Sequence, residues 1–194
     1  MTKADDRPRI SPTVALLFQG GIGALGLAAI MLFGIPVQNT GVTPGLAVLL
    51  GLVGSAATYA VIVFLTRPTG LLHQAMAREL EALSRFTRDY SWPVLITLSV
   101  FAGVGEELLF RGAIQGWLAQ HAPDAVAIAV ASLLFGLVHY LSLAYFCLAT
   151  GMGLLLGIAY TTTDSLLLVM VWHGVYDMIA LFSLRRHPHL FGAH

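Results

Sequence analysis

Cysteine and charge are both scarce in this 194-residue chain. A single cysteine, Cys147, excludes an internal disulfide framework and a Cys-rich zinc site. Charged residues make up only 10% of the chain, against about 25% in ordinary soluble domains. Ten basic side chains balance ten acidic ones, so no net field draws nucleic acid as a partner. Hydrophobic residues reach 57%, which excludes disorder and argues against a water-soluble globule. What remains is an all-α, polytopic membrane bundle. Residues 1–194 form one membrane domain, with no room for a separate soluble one.

Five apolar stretches carry the crossings, a span needing about 20 residues. Val14–Ile35 and Gly45–Thr66 hold no charge. Ser91 to Ala119 is long enough to span, yet carries Glu106, Glu107 and Arg111. Ala125–Thr161 lacks Asp, Glu, Lys and Arg throughout. At 1.5 Å per residue it covers about 55 Å, nearly two crossings, so a break near Tyr140–Leu143 is expected. Ser165–Leu184 is the last stretch, interrupted by His173 and Asp177. The expected count is six transmembrane helices. The first run is longer than the roughly 7–15 apolar residues of a signal peptide, so it is read as a mature helix.

Charge placement supports that count. Lys3, Arg7 and Arg9 precede the first span, Arg67, Arg78, Arg85 and Arg88 lie between the second and third, and Arg185 and Arg186 close the last. The linkers 36–44, 120–124 and 162–164 contain no Lys or Arg. The positive-inside rule then puts both termini and segment 67–90 in the cytoplasm. Within that segment Leu72, Met76, Leu80, Leu83 and Tyr90 recur at helical spacing, which predicts an amphipathic helix lying in the interface or, equally, a solvated linker helix. Asp124 and Asp164 stand where N-caps are expected.

Ionisable groups at bilayer depth cost several kcal/mol on most scales and normally face a bundle interior or a wet cavity. Glu106, Glu107, Arg111, His139, His173 and Asp177 all fall within residues 91–184. That region reads as a four-helix catalytic core, with 14–66 as two accessory helices. Glu107 and Arg111, four apart, can form a buried ion pair. Glu106 is turned about 100° away and cannot share Arg111 equally. It is left available to take a proton from water. His173 and Asp177 are also four apart, so Asp177 could orient the imidazole or a water on it.

Three segments now stand in order: Glu106-Glu107-Leu108-Leu109-Phe110-Arg111, Phe135-Gly136-Leu137-Val138-His139 and His173-Gly174-Val175-Tyr176-Asp177. Together they resemble the motifs EExxxR, FxxxH and HxxxN/D of the CAAX-protease and bacteriocin-processing (CPBP, or Abi) family of intramembrane proteases, relatives of the Rce1 type. The resemblance covers roughly 91–184. It implies hydrolysis of a peptide bond in a membrane-associated substrate, lipidated or leader-bearing, without an obligatory cofactor. On that scheme Glu106 is the general base and acts on water with His139, His173 and position 177 stabilise the oxyanion, and Glu107 with Arg111 holds the site. The Rce1-type motif ends in Asn, whereas this chain has Asp177. An ionised Asp cannot donate to an oxyanion. Either Asp177 is protonated or it orients His173, and the second reading is preferred.

Three other functions compete. Glu106, His139 and His173 are the right types for a catalytic zinc with water in the fourth position, though none are paired at the spacing of HExxH. Intramembrane Glu, His and Asp also serve proton-coupled transport, but transporters of that kind often show related halves, and the polar groups here lie only in the later spans. A non-catalytic immunity or scaffold protein could keep the same motifs. Phe135, Trp117 and Trp172 read as packing residues. His187, His189 and His194 form a tail to which no metal role is assigned.

Overall fold

The computed structural model describes residues 10–192. Lys3, Arg7, Arg9 and His194 lie outside the described residues. Seven helices account for the architecture: α1 Pro12–Phe33, α2 Pro44–Thr66, α3 His73–Asp89, α4 Trp92–Ala119, α5 Asp124–Val138, α6 Leu143–Thr163 and α7 Leu166–Arg186. A 3₁₀ turn, Pro188–Phe191, follows. Among the described residues there is no sheet, only an isolated bridge between Asn39 and Ser165.

Local chemistry starts most of the long helices. The side chains of Ser11, Thr43, Ser142 and Ser165 accept hydrogen bonds from the backbone N–H three residues on, satisfying one orphan donor each. Pro12 and Pro44 sit in the first turn, where no N–H is needed. The expected aspartate caps are not found. Pro123 occupies the cap position before α5, with Asp124 inside the first turn, where a negative charge still suits the helix dipole. Asp164 ends α6 in the left-handed region at φ 44°, and Ser165 beside it makes the cap.

Among the described residues five helices are long and apolar enough to cross a membrane, one fewer than expected. The uncharged stretch divides at residues 139–142, where the break was expected, but its first part is too short to count as a crossing. α5 has 15 residues, about 22 Å at 1.5 Å each, short of the roughly 30 Å hydrocarbon core. α1 leaves Leu17, Phe18, Met31 and Leu32 more than two-thirds exposed. So much bare apolar surface suits contact with lipid. The chain is an integral, multi-pass membrane bundle.

α1 packs on α4, α4 and α2 pack on α7, and α5 packs on α6. At one end of the bundle Tyr90 Oη donates to Ile10 O, and Arg185 Nη1 donates to Tyr90 O. The start of α1, the α3–α4 turn and the end of α7 therefore meet. At the opposite end the backbone N–H of Gly41 donates to Asp164 O, and that of Gln38 donates to the Tyr160 hydroxyl. α3 covers the first end: Met76 and Leu80 are buried with Leu184 and Phe191. Its apolar face thus packs on the bundle itself, and its charged face points away.

Candidate active site

The site forms where α4 changes its winding. Leu108–Gln115 is a π-helix, a wider turn that recurs at functional sites. It turns Arg111 and Gln115 toward α6. There Arg111 Nη2 donates to Gly153 O at 3.0 Å, and Gln115 Nε2 donates to Gly157 O at 3.1 Å and to Thr161 Oγ1 at 3.0 Å. Gly103 of α4 and Gly174 of α7 let two backbones touch beside the carboxylates. A Cβ at Gly103 would stand 2.6 Å from the Gly174 Cα.

The adjacent carboxylates have different surroundings. Glu107 is fully buried, and its Oε1 accepts from Arg111 Nη1 at 2.7 Å and from His173 Nδ1 at 2.7 Å. Phe135 closes this layer. Its ring lies 4.8 Å from the Arg111 guanidinium carbon, 4.4 Å from the His139 ring and edge-on to His173 at 5.7 Å. Glu106 is 6% exposed. Its Oε1 accepts a 2.5 Å hydrogen bond from Gln19 Nε2 of α1. Its Oε2 is buried with no hydrogen-bond partner among the described residues. That oxygen faces His139 Nε2 at 3.5 Å and His173 Nε2 at 3.9 Å. Asp177 Oδ2 lies 3.6 Å from the same nitrogen of His173.

Hydrogen bonding fixes the tautomers. His139 Nδ1 lies 2.8 Å from Phe135 O, which can only accept, so Nδ1 carries the proton. His173 Nδ1 likewise meets an acceptor in an ionised Glu107. With Nδ1 engaged in each ring, it is Nε2 of both imidazoles that faces the unpartnered oxygen of Glu106.

His139 stands at the C-terminal end of α5, and that helix end is what brings its ring to 3.5 Å from Glu106. The structure brings Glu106, His139, His173 and Asp177 together around a cavity of about 310 Å³, with Glu107 and Arg111 packed beneath. Tyr145 also lines the cavity, which continues along the apolar face of α3 past Met76, Leu80 and Leu83. Two features differ from expectation. Ring orientation of His173 through Nδ1 falls to Glu107, while Asp177 stands on the Nε2 side. Gln19 reaches the site from α1, although the only sequence cue was one amide in an otherwise apolar run. Among the described residues no group of three or more His, Cys, Asp or Glu is arranged to hold a metal ion.

Residues 88–179 match the family described as type II CAAX prenyl endopeptidase Rce1-like. A curated relative, the uncharacterized protein YpbD of Bacillus subtilis, is 30% identical over 98 residues, 49% of this chain and 48% of that protein. The chain thus spans about half the length of the curated relative it matches. No solved structure matches.

Proposed function

We propose that the chain is an intramembrane endopeptidase that hydrolyses a peptide bond of a membrane-associated substrate with a water activated by Glu106. The observation that carries this reading is the convergence of the unpartnered Glu106 Oε2 on the two Nε2 atoms. The match of residues 88–179 to the CAAX prenyl endopeptidases supports it. Glu106 takes a proton from water as its oxygen attacks the scissile carbonyl carbon. His139 Nε2 accepts the water's second hydrogen as a hydrogen bond and aims it. His173, fixed at Nδ1 by Glu107, donates from Nε2 to the developing oxyanion in its imidazolium form, with one proton on each ring nitrogen. Asp177, 3.6 Å from the same nitrogen, favours the positive charge on that ring. As the carbon–nitrogen bond breaks, Glu106 returns its proton to the departing amine.

In this reading α4–α7 form the catalytic core, α1 and α2 flank it, and both termini are cytoplasmic. The meeting of the α3–α4 turn with the basic end of α7 at one end of the bundle supports that orientation. The cavity's apolar extension suits a substrate presenting hydrocarbon next to the peptide bond, and prenylated peptides are the first class to try.

The test uses purified protein in lipid nanodiscs with internally quenched peptides, prenylated and not. Wild type cleaves the prenylated probe, and Glu106→Gln loses roughly a hundredfold or more of the rate with its fold intact. Equal cleavage by Glu106→Gln sinks the reading, and a scaffold or a transporter takes its place. Cleavage that disappears on chelation together with a stoichiometric metal would recast Glu106, His139 and His173 as zinc ligands.

A further inference from the structure

α1 lies outside the stretch that matches the peptidase family, and most of its surface is bare. Within Val14–Ile35, Gln19 is the one amide. An amide at bilayer depth is costly unless hydrogen-bonded. Its Nε2 has a single partner, Oε1 of Glu106 at 2.5 Å.

The way α1 docks makes that contact a registered one. Gln19, Gly23 and Gly26 follow at four and then three residues, which places them on one face of the helix. A Cβ at Gly26 would stand 2.6 Å from Leu109 N, and one at Gly23 would stand 3.0 Å from the Gly105 Cα. Backbone lies against backbone along this seam, so α1 cannot slide or roll without a clash. The seam runs beside Glu106 and the start of the π-helix.

We infer that Gln19 is a positioning residue for Glu106: its amide holds Oε1, so that Oε2 alone faces the imidazoles and takes the proton of the attacking water. A carboxylate free to rotate about its last carbon–carbon bond would spread its lone pairs over several directions. The Gln19 hydrogen bond, made at the wall of the same cavity, removes that freedom, and the Gly23–Gly26 seam sets the height at which it acts. The catalytic half of this inference rests on the proposed hydrolysis, whereas the hydrogen bond itself does not.

The decisive variant is Gln19→Met, which keeps length and volume and removes the donor. Infrared spectra of wild type minus Glu106→Gln isolate the carboxyl bands of Glu106 without any substrate. Those bands move in Gln19→Met; identical bands overturn the inference. With the quenched prenylated peptide, kcat falls roughly ten- to a hundredfold, the worth of a hydrogen bond to a charged group, while KM stays close to the wild-type value. Gly26→Leu lifts α1 and reproduces the loss, and the double variant is no worse than either single one. Gly21→Ala, at a position with nothing within 4 Å, leaves cleavage unchanged. If Glu106→Gln is inactive but Gln19→Met keeps the wild-type kcat, this inference fails alone. Cleavage by Glu106→Gln at the wild-type rate fails the hydrolysis, and the infrared bands still decide the hydrogen bond. Should methionine disturb the packing, Gln19→Asn keeps an amide one methylene out of reach and gives the same readings.

Discussion

Two glutamate–arginine pairs, one on α3 and one on α4, share a four-residue spacing and nearly the same geometry. Glu81 and Arg85 meet at 2.6 Å with their side chains 55% and 45% exposed; Glu107 and Arg111 meet at 2.7 Å at 0% and 1%. Sequence spacing made both contacts available, and surroundings decide what each contributes. On α3 water solvates either charge, so the pair is worth only a few tenths of a kcal/mol. On α4 both charges are cut off from bulk solvent, and further partners take up part of what water would supply. Arg111 also bonds Gly153 O and lies over Phe135, while Glu107 also accepts a hydrogen bond from His173 Nδ1.

The buried pair therefore gives the largest expected effect. Arg111→Met leaves Glu107 uncompensated and lowers stability by about 3–5 kcal/mol, read as thermal or denaturant unfolding in detergent micelles. Converting both residues to apolar ones costs less than the sum of the single changes, because the stranded charge disappears with its partner. Strict additivity would mean that the two charges do not depend on one another, and the contrast with α3 would collapse.

A smaller effect comes from the contact between helices that brings the pair to His173. Gly103→Ala forces a methyl group against Gly174, and overpacking of this kind costs typically 1–3 kcal/mol. It also moves α7 relative to Glu106, so under the proposed hydrolysis peptide cleavage falls along with stability. Retention of both would show that the α4–α7 contact has slack that the distances do not suggest.

Much of this was legible in the residues, and what was missed has a common cause. Charge-free runs located α1, α2 and α6 within a few residues, and an apolar run broken only by His173 and Asp177 located α7, because a span must satisfy its own backbone and is poor in charge. The division of 125–161 falls where it was expected, but counting its first part as a sixth crossing did not hold, since an apolar composition suits lipid at any length. Glu107 with Arg111 followed from helical spacing. The bond from Glu107 to His173 did not, because it joins residues 66 apart on different helices. Gln19 lay outside every motif, and its importance depends on a docking register set by Gly23 and Gly26. The π-helix has no local signature in Leu108–Gln115 that separates it from an α-helix. Contacts within one helix can be read from spacing; those that complete the site run between helices.

The smallest expected effect tests the other member of the pair. Arg85→Ala removes the α3 ion pair and should change stability by no more than about 0.5 kcal/mol, with thermal unfolding nearly the same at low and high salt. α3 is held instead by Met76 and Leu80 against Leu184 and Phe191, and by the hydrogen bond from Ser84 Oγ to Leu184 O. None of these senses the charge at position 85. A loss well above 1 kcal/mol in lipid nanodiscs that vanishes in detergent would place the charged face of α3 against lipid headgroups. Exposure in the bare protein would then no longer measure exposure in the membrane, and the α3 pair would move toward the buried case on α4.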